Sequence, residues 1–350
     1  MESSKSISIQ RIKNDFVSAL LVTRNEQDYI EKSLLSLIHQ TYPKDKYEII
    51  IIDGESTDNT VGIVERLIKE YKRDSFDIRL ISNPKHILSA GWNLGIKAAK
   101  GEYVVRIDAH AEAPEDFIEK GVQTIESIKD VVCVGGKLIT KSINNDGDIV
   151  SKVLSSPFGV GNSSFRVSDK PSYTDTAVYG LYKKEVFNQV GYFNEQYVRN
   201  QDIELHSRIR AAGGKFYFNP DICCTYFSRS SVKKMLGQAF GNGKWNMVLL
   251  KNQNSALRFR HMVPFAFVLF LFSTIILGFI NVWFWIASLS VLTLHLLIGT
   301  IAAIKKTSKV MEVLEMPFLF LGLHFSYGMG YLSGLFIRIK ENPQNTIISA

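Results

Sequence analysis

The sequence has few cysteines and lacks the short glycine motifs of the common nucleotide-binding folds. Of its three cysteines, Cys223 and Cys224 are adjacent, so there is no disulfide framework and no spaced metal motif. Neither G-x-G-x-x-G nor G-x-x-x-x-G-K-[ST] follows the first apolar run at 16–22. This absence argues against a dinucleotide-dependent dehydrogenase and against a P-loop enzyme.

Positive charge is in excess, but it is not arranged for nucleic acid. The formal net charge is +7, yet no stripe of Arg and Lys with interleaved aromatic residues is present. The basic residues that flank an apolar C-terminal region are Arg258, Arg260, Lys305, Lys306 and Lys309. That placement suits anionic headgroups, so we expect membrane lipids and no nucleic acid as partners. The start of the chain has no apolar core, so no cleaved signal peptide is expected.

Strand-like and helix-like patterns alternate four times along the first third of the chain. The short apolar, strand-like runs lie at 16–22, 47–52, 77–82 and 102–107. This alternation predicts βαβ units and an α/β, Rossmann-like, mainly parallel sheet flanked by helices. In such sheets ligands bind beyond the carboxyl ends of the strands. Asp53, Asp108 and His110 all lie at such ends.

The fourth run ends in VVRIDAHA, which places two potential metal ligands two residues apart. In an extended chain, residues at i and i+2 project to the same side. Asp108 and His110 could therefore reach one ion or one phosphate together. On this stretch alone the alternative stays open, in which Asp108 makes a turn contact and His110 is partly exposed.

Four sequence stretches occur in a characteristic order. They are TRNEQDYIEKSLLSLIHQTYP, IIIDGESTDNT, SAGWNLGIKAAKGEYVVRIDAHA and VRNQDIELHSRIRAAGG. Together they resemble glycosyltransferase family 2, the inverting, nucleotide-sugar-dependent class with the GT-A fold. The likeness is strongest to its membrane-attached exopolysaccharide members, of the succinoglycan-biosynthesis type, and covers roughly residues 15–245.

The resemblance implies a donor pocket. Asp53 matches the acid that contacts the uracil or ribose of the donor, and Asp108 matches an acid that contacts ribose or metal. The other matches beside the nucleotide are Thr23, Asn25 and Glu26 in the first loop, and Ala90, Asn93 and Gly95 on the third helix. For Asn93 and Gly95 the alternative is ordinary packing at a helix edge.

The resemblance also implies a divalent metal. Asp108 and His110 fall where the family has its D-x-D, whose second acid is a metal ligand beside the diphosphate. Here that second acid is a histidine, and imidazole suits Mn²⁺ better than Mg²⁺. We therefore expect Mn²⁺ to be preferred. The ion would neutralise the charge growing on the departing nucleoside diphosphate.

Asp202, near the start of a predicted helix, matches the general base of the family. An inverting transfer needs one base to take the acceptor hydroxyl proton; the alternative role of Asp202 is a helix cap. Weaker matches to acceptor or diphosphate contacts are Gln201, Glu204, Gln238, Lys244 and Trp245. The spacing of the last two differs from Q-x-x-R-W, which favours one sugar per encounter over processive synthesis.

Two apolar segments at 262–280 and 282–304 are each long enough to cross a bilayer. The basic residues on either side predict that both outer ends face the cytoplasm. A third apolar segment, 313–337, could span, pack against the hairpin or lie in the interface. The predicted organisation is a polar segment 1–14, a GT-A domain 15–257, a membrane domain 258–340 with two or three helices, and a tail 341–350.

These features predict a metal-dependent, inverting glycosyltransferase in the inner membrane, with its catalytic domain in the cytoplasm. It would move a sugar, as a UDP-sugar, onto a polyprenyl-diphosphate-linked glycan in surface polysaccharide synthesis. The alternative is an inactive nucleotide-sugar-binding or scaffold membrane protein of the same fold. His110 in the metal motif favours that alternative, and Asp53, Asp108 and Asp202 disfavour it.

Overall fold

The computed structural model describes residues 15–142, 145–161, 163–228, 231–252 and 256–339. These residues form a mixed sheet with helices on both faces, followed by three long C-terminal helices. The segments expected to be polar ends, 1–14 and 341–350, lie outside the described residues.

The first four strands form the parallel half of the sheet. They are β1 (Val17–Thr23), β2 (Tyr47–Asp53), β3 (Ile78–Ser82) and β4 (Tyr103–Asp108), in the spatial order β3-β2-β1-β4. The connecting helices are α1 (Ile30–Ile38), α2 (Thr60–Tyr71) and α3 (Leu88–Ala98). Every residue of β1 and β2 is buried, which explains their continuous apolar runs. The predicted βαβ alternation is confirmed.

The second half of the sheet adds short antiparallel pairings. Its strands are β5 (Ala111–Glu112), β6 (Val131–Ser142), β7 (Ser172–Thr174), β8 (Leu181–Lys183) and β9 (Lys215–Ser228). The order continues β4-β8-β6-β9-β5, with β7 also paired to β9. The long β6·β9 pairing is parallel, whereas the antiparallel pairings extend over only two or three residues each. The sheet is therefore mainly parallel, as predicted.

The stretch 155–166, before the helix that carries Asp202, is rich in Ser, Gly and Asn; this composition predicts a loop, which is wrong in part. After α4 (Phe117–Ser127) and β6, the helices are α5 (Asn145–Leu154), α6 (Pro157–Val160), α7 (Ser164–Val167) and α8 (Glu185–Val190). Tertiary contacts support such short helices, because one or two turns are not stable alone. Phe158 of α6, for example, packs against Phe320 at a ring separation of 5.2 Å.

The helix that carries Asp202, α9 (Gln201–Ala211), packs on the same sheet face as α3. Alternate residues of a strand point to opposite faces, and Leu20 of β1 lies on this one. Leu205 and Ile209 of α9 are fully buried in the same cluster. Helix α9 and strand β1 thus share one core.

Two of the C-terminal helices are long and apolar enough to cross a membrane. After α10 (Val232–Asn252) come α11 (Phe259–Leu277) and α12 (Val282–Ile304), with mean hydropathies of 1.8 and 2.0 in their most apolar windows. Only 17% and 22% of those windows are buried within the protein. This exposure distinguishes them from the core helices of a soluble domain. They correspond to the two predicted apolar segments.

The third apolar segment forms α13 (Val310–Gly334), which packs against α10, α11 and α12. Glycines allow its backbone to approach α10 closely. A methyl group added at Gly330 would lie 2.1 Å from the Phe240 carbonyl oxygen, and one added at Gly243 would lie 1.9 Å from that of Tyr327. Small residues permit the same close contact between membrane helices. Helix α13 therefore joins the apolar hairpin to the catalytic domain.

We predict that Gly330→Ala destabilises the protein by about 1–3 kcal/mol, because the added methyl forces α13 away from α10. The matched control is Gly237→Ala, where no atom lies within 4 Å of the added methyl. Thermal unfolding of the full chain in detergent measures both. Equal melting temperatures for the two variants would show that the glycine contact does not hold these helices together.

Candidate active site

The carboxyl ends of β1, β2 and β4 meet at one edge of the sheet. Thr23 is paired with Asp53, and Val22 with Asp108. A cavity of about 230 Å³ opens beside them and is lined in part by Thr23, Glu26, Asp108 and His110. The strand register thus brings these predicted donor-side residues together.

Asp53 is buried and organises the loop that follows β2. Its Oδ2 accepts a hydrogen bond from the Ser56 amide at 2.8 Å, and its Oδ1 accepts one from the Ser56 hydroxyl at 2.5 Å. Asn25, in the left-handed region at φ 52°, accepts a hydrogen bond from the Thr57 amide at 2.8 Å. Asn25 therefore fixes the first loop to the second. Each Asp53 oxygen keeps a second lone pair that a ligand can use.

Two buried polar atoms on the cavity wall have no hydrogen-bond partner among the described residues. They are the hydroxyl of Thr23 and Oδ1 of Asn83. The side-chain amide nitrogen of Asn83 donates to the Ile87 carbonyl at 3.0 Å. The Oδ1 atom of Asn83 takes no part in this bond. Unpaired buried polar groups are costly, so this wall is suited to a polar ligand. Sequence reasoning missed Asn83, although it is the first residue after β3.

Asp108 and His110 stand at the end of β4 with Glu26 close by. Nδ1 of His110 lies 3.4 Å from a Glu26 carboxylate oxygen. In the part of the chain that the structure describes, no three His, Cys, Asp or Glu side chains form a preformed metal cage. The oxygen and imidazole donors fit a transition ion, provided that a diphosphate completes the coordination. Asp108 and His110 would be two of the metal ligands, and the bound substrate would supply the others.

Two tyrosines support the metal-motif residues. The buried Tyr179, at φ 45°, interacts with Asp108. Burial, and next the negative charge of Asp108, raise the pKa of the Tyr179 hydroxyl well above its ordinary value. The Tyr226 ring packs edge-on to His110 at 5.0 Å. Neither tyrosine was identified from the sequence, because both lie far from the motif along the chain.

Arg106 is a buried cation between the donor side and the base helix. Its guanidinium lies 5.1 Å from the Trp92 ring and 5.0 Å from the Phe193 ring. Within the described residues its Nε has no hydrogen-bond partner. Burial opposes the charge, but Tyr182, Asp202 and Asp108 outweigh it and raise the pKa of Arg106. One guanidinium is thus within electrostatic reach of both carboxylates.

The start of α9 is fixed by α10. Asn200 precedes the helix in the left-handed region at φ 58°. Its amide donates to the Asn242 carbonyl at 3.1 Å and to Oδ1 of Asn246 at 2.7 Å. Asp202 is half-buried in the first turn, where the helix dipole favours negative charge. Oε1 of the neighbouring Gln201 is buried without a partner among the described residues.

Several expected contacts prove to be structural. Both amide atoms of Asn93 bond the Phe193 backbone at 2.9 Å, which joins α3 to the loop before α9. A methyl added at Gly95 would lie 2.8 Å from the Ile52 side chain, so this glycine serves close packing. Ala90 is buried in α3.

Glu204 requires a correction to its expected acceptor contact. It is fully buried, and its two carboxylate oxygens accept hydrogen bonds from Arg208 at 2.8 Å and 2.7 Å. A carboxylate that is already paired in the interior has no face toward a substrate. The helical pattern alone does not reveal this pairing.

The remaining weak matches separate on α10. Gln238 lines a second, larger cavity. Trp245 packs against Tyr197 at a ring separation of 5.9 Å, and the backbone of Lys244 lies against α13 at Gly330 and Gly334. Among the three, therefore, the structure brings only Gln238 to a cavity.

Comparisons with known proteins identify the family and the fold of this chain. Residues 18–191 match the family described as glycosyl transferase family 2. A Methanococcus voltae protein, dolichyl N-acetyl-alpha-D-glucosaminyl phosphate 3-beta-D-2,3-diacetamido-2,3-dideoxy-beta-D-glucuronosyltransferase, is 30% identical over 94% of this chain and 98% of its own. The chain belongs to glycosyltransferase family 2. Succinoglycan biosynthesis protein ExoA of Rhizobium meliloti is 27% identical to this family member over 69% of the chain and 72% of that protein.

Solved structures give the same fold. Mannosyltransferase PcManGT of Pyrobaculum calidifontis, in complex with GDP-Man and Mn²⁺, superposes with a TM-score of 0.58 at 17% identity, over 91% of this family 2 chain and 87% of the other. S. aureus TarS 1–349 with UDP-GlcNAc gives a TM-score of 0.50 at 17% identity over 91% of each chain. The family 2 glycosyltransferase therefore has the GT-A fold, as the resemblance implied.

We predict that His110→Ala weakens Mn²⁺ binding in the presence of UDP at least about tenfold. Mutating a residue that only supports a metal ligand already lowers metal affinity by about this factor, so loss of the ligand itself should lower it at least as much. Electron paramagnetic resonance of the full chain measures bound Mn²⁺ directly. His86→Ala is the matched control, since His86 lines the same cavity but contacts the Gly54 carbonyl. Unchanged Mn²⁺ affinity in His110→Ala would exclude His110 as a ligand.

Proposed function

We propose that this glycosyltransferase moves a sugar from a nucleotide-sugar donor, with UDP as its nucleotide, onto a lipid-linked glycan. A divalent metal and the base Asp202 assist the transfer. One observation carries the proposal: Arg106 is in electrostatic reach of both Asp108 and Asp202. Both carboxylates thus interact with the charge of Arg106, which supports a shared cleft for donor and acceptor.

The nucleoside would lie at the ends of β1 to β3. Asp53 offers carboxylate lone pairs there, and the unpartnered Thr23 hydroxyl and Asn83 oxygen offer further hydrogen bonds. Glu26 lines the same cavity. TarS in complex with UDP-GlcNAc and PcManGT in complex with GDP-Man support a nucleotide-sugar donor in this fold.

Asp108 and His110 would hold the metal, with Glu26 beside them. Bound there, a divalent ion supplies positive charge against the diphosphate leaving group. The imidazole donor supports a preference for Mn²⁺ over Mg²⁺, and PcManGT was solved with Mn²⁺.

Asp202 would act on the acceptor side of the sugar. Its carboxylate takes the proton of the acceptor hydroxyl as that oxygen bonds to the anomeric carbon and the bond to the nucleoside diphosphate breaks. Attack from the face opposite the leaving group inverts the configuration, so an α-linked donor gives a β-linked product. Gln201 precedes Asp202 in the chain, and Gln238 lines the larger cavity.

The membrane provides the setting for the acceptor. The Methanococcus voltae relative acts on a dolichyl-phosphate-linked sugar, as its name states, which supports a polyprenyl phosphate or diphosphate carrier here. The exposed apolar helices α11 and α12 support attachment to the cell membrane. Basic residues at both ends of this hairpin favour a catalytic domain that faces the cytoplasm. The enzyme would act there in surface polysaccharide synthesis.

We predict that Asp202→Asn lowers transfer at least about 100-fold, because the amide cannot accept the proton, while donor binding is largely retained. Release of nucleoside diphosphate from a panel of nucleotide sugars, with Mn²⁺ present, measures turnover; UDP binding by calorimetry measures the donor site. Asp74→Asn, an exposed turn residue, is the control.

Turnover of Asp202→Asn at the wild-type rate would exclude Asp202 as the base. UDP binding by the wild-type chain without turnover of any donor would instead favour the inactive scaffold alternative.

A further inference from the structure

A second cavity, of about 530 Å³, lies between the catalytic domain and the C-terminal helices. Its walls come from the described residues of 154–161 and 163–166, from the start of α9, and from α10, α11, α12 and α13. We call it the junction cavity. It is the place where the candidate membrane helices meet the catalytic domain.

The catalytic end of the junction cavity adjoins the proposed base. Asn200 and Ile203 line it, and Asp202 stands between them in the chain. Gln238 lines the same end from α10. In the chain, Asp202 thus lies between two residues that line the junction cavity.

Arg166 supplies positive charge to the cavity. Within the described residues its guanidinium has no carboxylate partner, and its nearest ring contact is Phe165 at 5.4 Å. By contrast, Arg260 is neutralised by both oxygens of Asp175 at 3.0 Å. Burial lowers the pKa of Arg166, and it interacts electrostatically with Tyr226, the ring that packs on His110. Arg166 therefore brings to the wall of the junction cavity a positive charge that has no carboxylate partner among the described residues.

The other end of the junction cavity is apolar and lies among the candidate membrane helices. Pro264 and Phe267 of α11 and Leu323 of α13 line it. His295 and His324 share a hydrogen bond of 2.9 Å there, and Phe158 packs against both rings. This end suits a hydrocarbon chain better than a sugar.

We propose that the junction cavity binds the phosphate-bearing isoprenoid part of the acceptor, with the phosphate at Arg166 and the chain between α11, α12 and α13. This inference rests on the proposed function and adds the location of the lipid. An amphiphile with an anionic head fits a cavity that has a cation at Arg166 and is mainly apolar between the candidate membrane helices. A soluble sugar acceptor would need no such apolar end.

The test uses geranylgeranyl diphosphate as the probe, with the full chain in nanodiscs of neutral phosphatidylcholine. Binding is measured by calorimetry. Arg166→Gln removes the cation, and Val263→Trp fills the cavity from α11. Each change should weaken binding at least about tenfold, because a charged hydrogen bond or a filled pocket is lost. Geranylgeraniol and inorganic pyrophosphate should each bind more weakly than the intact probe.

Matched controls are Arg66→Gln, on the far surface of α2, and Ile275→Trp, exposed on α11 outside the cavity lining. Both should bind the probe as the wild type does. Val263→Trp keeps the test decisive if Arg166→Gln does not fold, as judged by thermal unfolding. Wild-type affinity in the folded cavity variants would overturn the inference.

Donor hydrolysis by the wild-type chain, with water as acceptor, separates this inference from the proposed function. If the wild-type chain hydrolyses the donor but the cavity variants bind the probe with wild-type affinity, the lipid site alone is refuted. Probe binding that depends on both variants, without any donor turnover, would support the lipid site and refute the proposed function.

Discussion

The buried guanidinium of Arg106 is the interaction on which the candidate site depends. A charge removed from water is costly unless its surroundings compensate it. Here three aromatic rings surround it, and the carboxylates of Asp108 and Asp202 lie within electrostatic reach. Because Arg106 is on β4 and Asp202 is on α9, this cation couples the donor half of the sheet to the base helix. Both elements therefore carry a carboxylate that compensates the same buried charge.

The packing of the C-terminal helices connects the apolar hairpin to the helix that carries Asp202. Backbone contact at Gly243 and Gly330 holds α13 against α10, and α10 in turn fixes the residue before the base helix through Asn246. A chain of direct contacts therefore runs from the apolar hairpin to the candidate base. Under the proposed function, such an arrangement would hold a membrane-borne acceptor and a soluble donor close together without a flexible linker.

The sequence predicts best those features that depend on burial. Strands β1 and β2 are covered on both faces, so their apolar runs and their ends at Thr23 and Asp53 are readable without a structure. The motif resemblance placed Asp202 in the first turn of a helix, where the structure has it. The two exposed apolar helices were equally clear, because their apolar runs are long enough to cross a bilayer.

What the sequence does not reveal is the partner of each polar side chain. Asn93 and Glu204 fit a binding role by position, but Phe193 and Arg208 occupy their polar atoms. Tyr179 is remote from Asp108 in the chain, so no local pattern joins them. The short helices between 157 and 167 have no amphipathic period long enough to detect, and they depend on neighbours such as Phe320.

A structure of the full chain with Mn²⁺ and a bound UDP-sugar tests the central claim most directly. The account predicts the metal about 2 Å from an oxygen of Asp108 and a ring nitrogen of His110. It also predicts the Asp202 carboxylate across the anomeric carbon from the diphosphate, with Arg106 between the two carboxylates. Asp108 and His110 turned away from the diphosphate, or Asp202 on the side of the leaving group, would contradict a single cleft built around Arg106.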